Sequence, residues 1–455
     1  METTAGPPMT LFRIEDFIDR QRIAPIHIRV LVLCTVMMFI DGFDVFMVGK
    51  IAPAIAAGFG ETPAAMTIVF VLQQLGLAVG AFAMTPLSDR WGRRRMLVIA
   101  SVLFGVMMIA SVFVHSLLQL AILRGLSGVF LASVLPTALA LVGEVTPRHR
   151  RASFITIALA GYSAGAAAGA AVAAWLIDLY GWESGFWIGG VLPLVCVPLI
   201  LWLVPESLQY MVTRNRDNPA IARTLRRFEP ALALTGNERF EVGDGSAKSG
   251  KASVMEIFTD GRARTTIILW ACCLLSMGNI ALLAAWLPTF FQEMGGIPIQ
   301  LFAISAMIAF GGGVAGTLVA GVLMDRFGAS RTIIAFYVGL AVALVALGQV
   351  PFAHAGFNLL LIAWAFLQSG GQAGLNTLIV QLYPASARST GLGWAGGAGR
   401  IGGVISPVLG GLAVSSHLSL GMTLLLVGLV PLGVALLVLC LRKGAERPAP
   451  AMAAA

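Results

Sequence analysis

The stretch LSDRWGRRR, residues 87–95, recurs in the second half of the chain as LMDRFGASR, residues 323–331. The two copies share an aspartate (positions 89 and 325), a glycine (92 and 328) and two arginines (90 and 326, 95 and 331), all with the same separation along the chain. A second pair agrees, because GEVTPRHRR at 143–151 aligns with VQLYPASAR at 380–388 at nearly the same separation. Two motifs that repeat in this way indicate two halves of common design.

The composition is that of a membrane protein. Of the 455 residues, 58% are apolar and 11% are charged, whereas ordinary soluble domains carry about 25% charged residues. Apolar runs of about 20 residues, long enough to cross a bilayer, occur twelve times, six on each side of a polar middle segment. We therefore predict an all-α membrane protein with twelve transmembrane helices in two pseudo-symmetric six-helix halves. The predicted segments are an N-terminal tail at 1–27, a first six-helix bundle at 28–207, a central loop at 208–262, a second bundle at 263–441 and a C-terminal tail at 442–455.

Positive charges predict the orientation of these helices. Of the 30 lysines and arginines, 27 fall on alternate loops and tails, on the side that carries both termini. Because cytoplasmic loops retain lysine and arginine, both termini are predicted to be cytoplasmic. Lys50 falls on the opposite side, and Arg124 and Arg400 fall inside spans. The net charge of +8 thus reflects membrane orientation and does not indicate nucleic-acid binding.

Other features of the sequence exclude several classes of function. The five cysteines lie in apolar stretches without metal-ligand spacing, and the sequence contains no nucleotide-binding glycine-lysine loop and no paired metal-ligand histidines. We therefore predict no metal site, no cofactor, no ATP-driven transport and no metalloenzyme chemistry. In the middle segment, GDGSAKSGK (243–251) is typical of a flexible tether, and IARTLRRFE (221–229) is either a helix on the membrane surface or a solvated loop.

Four charged residues are predicted in the membrane interior: Asp41 and Asp44 within FIDGFDVFMVG (39–49), Arg124 and Arg400. A charge at the centre of a span costs about 2.5–3.5 kcal/mol on insertion scales, so such residues tend to line a cavity or contact a partner. The two acids are three residues apart and share one helical face. At about 1.5 Å per residue, Asp44 and Arg124 each lie about 12 Å from the same membrane surface. The two acids and Arg124 are therefore expected to form one coupled set.

The repeated loop resembles the signature of the major facilitator superfamily of transporters. That signature, G-x-L-x-D-R-x-G-x-x-R, is complete at residues 321–331, whereas Thr85 replaces its first glycine in the first half. The resemblance implies charged contacts that hold the two halves together on the cytoplasmic side in one conformation and release them in another. The alternatives are that these arginines only set the topology and that Glu144 forms an ordinary surface salt bridge. The gating residues so implied are Asp89, Arg90, Gly92, Arg93, Glu144, Asp325, Arg326, Gly328, Arg331 and Arg388.

Further motifs resemble one branch of that superfamily, the aromatic acid:proton symporters. They are DGFD (41–44), RGLSG (124–128), PES (205–207), YPASARSTGLG (383–393) and GRIGG (399–403). The resemblance implies a bacterial inner-membrane transporter that imports a benzoate- or hydroxybenzoate-type carboxylate with protons by alternating access. Its partners would be the aromatic acid, protons and the lipid bilayer; nucleic acid is excluded, and the protein is expected to be a monomer. Alternatives are a symporter of another organic anion such as muconate, a drug:proton antiporter and, from another class, a membrane enzyme or receptor.

Candidate site residues follow from this interpretation. Asp41 and Asp44 jointly carry proton coupling, because interacting acids titrate as a pair, and Arg124 or Arg400 pairs with the substrate carboxylate. The alternatives are a static ion pair between helices 1 and 4 and, for Arg400, a bond to helix-end carbonyl groups. Further predicted substrate-binding residues are Asn279, Gln372, Asn376, Trp286, Tyr162 and Phe43. For these, ordinary interhelical hydrogen bonds, helix packing and, for Trp286, anchoring at the membrane interface are the alternatives.

Overall fold

The structure is a computed structural model, and it describes residues 10–215, 219–230, 232, 234, 238–241, 254–259, 262–352, 356–383, 388–416 and 418–445. Some side chains inside helices, including those of Thr85, Asp89 and Arg388, lie outside the described part. The predicted tether at 243–251 lies outside it as well.

Twelve long helices occur in the described chain. They are α1 (Pro25–Gly58), α2 (Thr67–Trp91), α3 (Arg93–Ala110), α4 (two pieces, Leu117–Leu131 and Val134–Val145), α5 (Arg148–Trp175), α6 (Glu183–Leu203), α7 (Ala263–Thr289), α8 (Ile299–Phe327), α9 (Ala329–Leu347), α10 (Gly356–Leu382), α11 (Arg388–Ser415) and α12 (Leu420–Ala445). Within the described residues, eleven of them are long and apolar enough to cross a membrane. The remaining one, α10, has the length of a span and carries polar residues at 368, 369, 372 and 376. The predicted all-α, twelve-helix fold is thereby confirmed.

Consecutive spans run in opposite directions, so the two ends of the described chain, residues 10 and 445, lie on one face of the molecule. We call it the terminal face; the odd-numbered helices begin there, and the even-numbered helices begin at the opposite face. The first span agrees closely with its predicted apolar run, about 28–57, since α1 begins at Pro25 and continues to Gly58. Lys50 lies inside this helix, in the part nearer the opposite face, as the charge pattern predicts.

The helix packing repeats between the two halves. In the first half α1 packs on α5, α2 on α4 and α3 on α6. In the second half α7 packs on α11, α8 on α10 and α9 on α12, which are the same three pairs shifted by six helices. The halves meet through α1 with α7, α2 with α11 and α5 with α8. The duplication that the repeated motifs predict is therefore also present in the packing.

A glycine ends the second helix of each half. Gly92 (φ 100°) separates α2 from α3, and Gly328 (φ 85°) separates α8 from α9. A positive φ of this size is strained for residues with a side chain, and glycine adopts it freely. The repeated loop therefore needs its glycine to turn the chain back into the membrane within one residue.

A small structure on the terminal face joins the N-terminal tail to the central loop. Strand β1 (Thr10–Arg13) pairs in parallel with β2 (Glu238–Glu241), with Phe12 opposite Phe240 and their ring centres 5.7 Å apart. A short helix, Pro219–Phe228, buries Ile221, Leu225 and Phe228, and the Phe228 ring lies 5.3 Å from that of His27 in α1. The stretch at 221–229 is therefore mostly helical and packs on protein. The two strands are an addition to the predicted all-α fold.

Candidate functional site

A cavity of about 370 Å³ lies between the two halves. It is lined by α1, α2, α4 and α5 of the first half and by α7 and α11 of the second. Asp41 on α1 and Arg400 on α11 are its charged lining residues, and Gln73, Gln74 and Tyr162 add polar groups. The remaining wall is apolar or glycine. A mainly apolar chamber with a few converging polar groups is the usual form of a small-molecule site.

Asp44 and Arg124 form a closed ion pair behind this cavity. Arg124 Nη1 donates to Asp44 Oδ1 at 2.6 Å and Nη2 donates to Oδ2 at 2.7 Å. Both side chains are fully buried, and the guanidinium lies 5.9 Å from the ring centre of Phe186 and 2.8 Å, through Nη1, from Met108 Sδ. Two parallel charge-assisted hydrogen bonds are the strongest arrangement of these two groups. The pair therefore fixes α1 to α4 inside the first half.

Asp41 lies beside that pair and faces the cavity. Three residues along an α-helix turn the side chain by about 300°, which leaves about 60° between the directions of Asp41 and Asp44. Asp44 reaches α4, whereas Asp41 is 6% exposed and lines the cavity. The predicted set of two acids and Arg124 thus separates into one closed pair and one acid that faces the cavity.

Arg400 approaches Asp41 from the other half of the molecule. The two side chains line the same cavity and are close enough to interact electrostatically. Arg400 Nη1 also donates to the carbonyl oxygen of Leu77 in α2 at 3.1 Å. That acceptor lies in the interior of α2 and not at a helix end. A guanidinium has five N–H groups, so this bond to the first half is compatible with carboxylate binding in the cavity.

Aromatic side chains form part of the cavity wall. Phe46 and Tyr162 line it with their ring centres 6.0 Å apart, and Phe70 also lines it. Trp286 lies behind Phe70 at 5.2 Å, is fully buried and donates from Nε1 to the carbonyl oxygen of Pro407 at 3.0 Å. Phe43 is likewise buried and does not line the cavity. Among the predicted aromatic site residues, the structure brings Tyr162 to the cavity and leaves Trp286 and Phe43 behind the wall.

A second cavity, of about 450 Å³, continues from the first toward the terminal face. The two share Met277 and Gly396, and the second contains Gln372 and Asn376. Gln372 accepts from Ser276 Oγ at 2.6 Å and donates to Asn376 Oδ1 at 3.2 Å. These two predicted residues therefore border a route between the central cavity and the terminal face.

Asn279 lies apart from this route. It donates to Gln368 Oε1 at 2.9 Å, and both side chains are buried between α7 and α10. Within the described residues, Asn279 Oδ1 and Gln368 Nε2 have no hydrogen-bond partner. The pair is an interhelical contact in this conformation, with hydrogen-bonding capacity left over.

Comparison with known proteins identifies the architecture. The Major Facilitator Superfamily profile matches residues 34–355 and 296–454. The chain belongs to the Major Facilitator Superfamily. It is 33% identical to a gallate transporter of Pseudomonas putida over 97% of each chain, and 32% identical to the 4-hydroxybenzoate transporter PcaK of Pseudomonas aeruginosa over 90% of this chain and 91% of that one. The solved structure of a D-xylose-proton symporter shares its fold, with a TM-score of 0.68 at 17% identity over 90% of this chain and 97% of that one.

These relatives make the protein a membrane transporter and not an enzyme. The superfamily that the repeated loop predicts is confirmed. The predicted aromatic-acid branch is matched by two relatives whose names state aromatic acids.

On the terminal face, the first half of this Major Facilitator Superfamily member contains a compact charged cluster. Arg93 Nη1 lies 2.5 Å from Glu144 Oε1 and donates to Ser207 Oγ at 2.7 Å, and Ser207 donates in turn to Glu144. The backbone N–H of Arg94 donates to Glu206 at 3.0 Å. The side chain of Glu144 is 17% exposed, so its salt bridge with Arg93 is largely buried and differs from an ordinary surface ion pair. The predicted site residues omit Glu206 and Ser207, although the motif PES contains both.

The equivalent loop of the second half is more open. Asp325, Arg326 and Arg331 are exposed, and Arg326 lies over the ring of Phe327 at 5.4 Å. Arg90 is exposed too, and its carbonyl oxygen accepts from Arg214 at 3.3 Å. The side chains of Asp89 and Arg388 lie outside the described part. The role of these residues in gating stays a prediction.

Proposed function

We propose that this transporter imports an aromatic monocarboxylate together with protons by alternating access. It would reside in the bacterial inner membrane as a monomer, with the terminal face in the cytoplasm. The observation that carries the proposal is the central cavity, where an arginine of one half and an aspartate of the other meet beside an aromatic wall. The relatives named as gallate and 4-hydroxybenzoate transporters support an aromatic acid as the cargo.

The substrate carboxylate binds Arg400 in this mechanism. A carboxylate and a guanidinium form two parallel charge-assisted hydrogen bonds, and Arg400 is the guanidinium of the cavity wall. The substrate ring then packs against Phe46, Phe70 and Tyr162, which line the same cavity. A cationic drug would meet Arg400 as a like charge, so the cavity favours an anionic cargo.

Proton coupling follows from competition for Arg400. With Asp41 ionised, its carboxylate attracts Arg400 from across the cavity, and protonation of Asp41 frees that arginine for the substrate. Asp44 remains bound to Arg124 about one helical turn from Asp41. The charges of that pair influence the protonation of Asp41, so the two acids act together. Proton and substrate then load as a unit, and neither is favoured alone.

Alternating access requires that the cavity open to one face at a time. At the opposite face, α1 contacts α7 where Gly49 meets Ala284, and α2 contacts α11 where Thr67 meets Gly411. The second cavity leads from the centre toward the terminal face. These contacts support a conformation that is closed to the opposite face, and transport alternates it with one in which they separate.

Uptake into proteoliposomes tests the proposal. We expect the wild type to accumulate labelled 4-hydroxybenzoate when the outside is acidic and a protonophore to abolish that accumulation. Asp41→Asn should lose accumulation and retain exchange of labelled for unlabelled substrate, because its cavity cannot release a proton. Asp16→Asn makes the same chemical change at an exposed position and should behave as wild type.

Several outcomes would contradict the proposal. Accumulation that survives the protonophore, or that is unchanged in Asp41→Asn, would remove the proton-coupling role. Uptake of muconate in preference to 4-hydroxybenzoate would move the cargo to aliphatic dicarboxylates. Proton-driven efflux of lipophilic cations would make the protein an antiporter.

A further inference from the structure

Lys50 places a third cation in the membrane interior, beside Arg124 and Arg400. Its side chain, on α1 six residues beyond Asp44, is 4% exposed. The ammonium donates to the carbonyl oxygens of Phe46 at 3.0 Å and Ala166 at 3.4 Å, and it lies 5.3 Å from the ring centre of Phe46. Ionisable residues inside a membrane are costly and commonly mark a substrate or ion route.

A charge count distinguishes Lys50 and Arg400 from Arg124. More than five residues from any helix end, the twelve spans contain the charged residues Asp41, Asp44, Lys50, Arg124 and Arg400, three cations and two acids. Asp44 and Arg124 neutralise each other in their closed pair. Asp41 then remains as the one acid to balance Lys50 and Arg400, so with all five groups ionised the interior holds one positive charge in excess. An anionic substrate balances that excess.

Lys50 lies at the end of the cavity nearer the opposite face. Its ammonium is behind the ring of Phe46, which lines the cavity. Its neighbour Gly49 also lines the cavity and contacts Ala284 and Ala285 of the second half, where the opposite face is closed. When α1 separates from α7 at this point, the ring of Phe46 stands between Lys50 and the incoming substrate.

We propose that Lys50 binds the carboxylate of the incoming substrate at this end of the cavity, before the carboxylate reaches Arg400. The ammonium exchanges the Phe46 and Ala166 carbonyl oxygens for the carboxylate as Phe46 turns aside, and it returns to them when the substrate has moved inward. A lysine suits this exchange because its four-carbon stem is flexible and its three donors rotate. The inference rests on the proposed function, since it specifies the order in which that site's two cations meet the substrate.

Sided transport kinetics test it. Lys50→Met removes the charge at similar length, and Lys50→Arg keeps it. In right-side-out vesicles, we expect Lys50→Met to raise the KM for 4-hydroxybenzoate about tenfold, which corresponds to about 1.4 kcal/mol, with Vmax changed less than about threefold. In inside-out vesicles the KM should change less than about threefold, and Lys50→Arg should stay within about threefold of wild type on both sides.

A comparison of acid with amide separates binding from a structural role. In competition against labelled substrate in right-side-out vesicles, Lys50→Met should weaken inhibition by 4-hydroxybenzoate and leave inhibition by the neutral 4-hydroxybenzamide unchanged. Equal weakening of both inhibitors, or an equal KM increase from both sides, would overturn the proposal. Lys50→Gln provides a second neutral variant should the methionine variant fail to reach the membrane.

The outcomes for this proposal and for the proposed function are distinguishable. Wild-type transporter that accumulates 4-hydroxybenzoate, together with a wild-type KM in both neutral Lys50 variants, would remove only the role of Lys50. Wild-type transporter that neither binds nor moves the acid would remove both.

Discussion

At the scale of single residues, the Asp44–Arg124 pair combines short geometry with complete burial. Inside a protein, an ion pair of this kind gains from mutual attraction what each charge loses in hydration. When one partner is removed, the other is left as an uncompensated buried charge. The stability of the first half therefore depends on the pair being intact and less on its being charged.

The first prediction concerns this pair. Arg124→Met leaves the Asp44 carboxylate without its partner and should lower the free energy of unfolding by about 3–5 kcal/mol. The double variant Asp44→Leu/Arg124→Met removes both charges and should regain most of that loss. Unfolding of the detergent-solubilised protein by heat or denaturant measures both effects. Arg29→Met makes the same change at an exposed position of α1 and should cost less than about 1 kcal/mol; a double variant as unstable as the single one would contradict the prediction.

The sequence predicts part of this residue-scale picture. Matched depths along their helices bring Asp44 and Arg124 together, and the structure places them in one pair. The direction of Asp41 does not follow from the same reasoning, because residues three apart on a helix differ by about 60° and can face different neighbours. Lys50 falls inside the apolar run predicted for the first span, and the structure places it inside α1. Its burial does not follow from hydropathy, because an apolar run does not show which side of the helix packs against protein.

At the scale of helices and strands, glycines set how closely neighbours approach. A methyl group at Gly49 would overlap the carbonyl oxygen of Ala284 in the other half, and one at Gly42 would overlap the carbonyl oxygen of Tyr162 within the same half. Both glycines belong to α1. Glycines of one helix thus allow close packing both within the first half and between the two halves.

Alanine substitutions should separate these two kinds of packing. Overpacking costs about 1–3 kcal/mol, so Gly49→Ala should disfavour the conformation closed to the opposite face about fivefold or more and slow uptake by a similar factor. Gly42→Ala should mainly lower the thermal stability of the protein. Initial uptake rates and unfolding temperatures in detergent measure the two effects. Gly311→Ala, at a helical glycine with no neighbouring atom within 4 Å, is the control, and uptake by Gly49→Ala at the wild-type rate would contradict the closure role.

The small parallel sheet is the element that the sequence predicts least well. Each strand has four residues, and one lies in the N-terminal tail while the other lies in the central loop. Such short strands carry no periodicity that distinguishes them from loops, and their pairing joins distant parts of the chain, with Thr10 opposite Glu238. The pairing depends on Phe12 meeting Phe240, which only the folded terminal face brings together.

Limited proteolysis tests the contribution of that contact. Phe240 is 5% exposed, and replacing a buried phenylalanine by alanine costs about 3–5 kcal/mol in a well-packed core. We expect Phe240→Ala to speed tryptic cleavage at Arg239 by at least about fivefold, since cleavage follows the population of the open segment. Leu11→Ala, on β1 at a side chain that is 56% exposed, should leave the cleavage rate unchanged. Equal rates in the two variants would show that the strands are not held by their aromatic pair.

At the scale of the whole molecule, the duplicated halves determine where movement can occur. The strongest helix pairs lie within each half, whereas the halves touch along α1 with α7, α2 with α11 and α5 with α8. The repeated motifs predict this division, because the shift that carries position 89 onto 325 also carries each helix of the first half onto its counterpart. They do not predict which face is closed, since the same sequence must adopt both conformations during transport.

Closure of the opposite face is testable with a reversible crosslink. An ideal Cβ at Gly411 of α11 lies 3.2 Å from the Cβ of Thr67, the first residue of α2, close to the roughly 3.5–4.5 Å that a disulfide typically spans. We expect Thr67→Cys/Gly411→Cys, with exposed Cys440 replaced by serine, to crosslink on mild oxidation and to stop uptake because the two halves can no longer separate there. Reduction should restore transport, and each single cysteine variant should be insensitive to the oxidant. A crosslinked protein, verified by mass spectrometry, that still transports at the rate of the reduced form would show that substrate does not pass between α2 and α11 at this face.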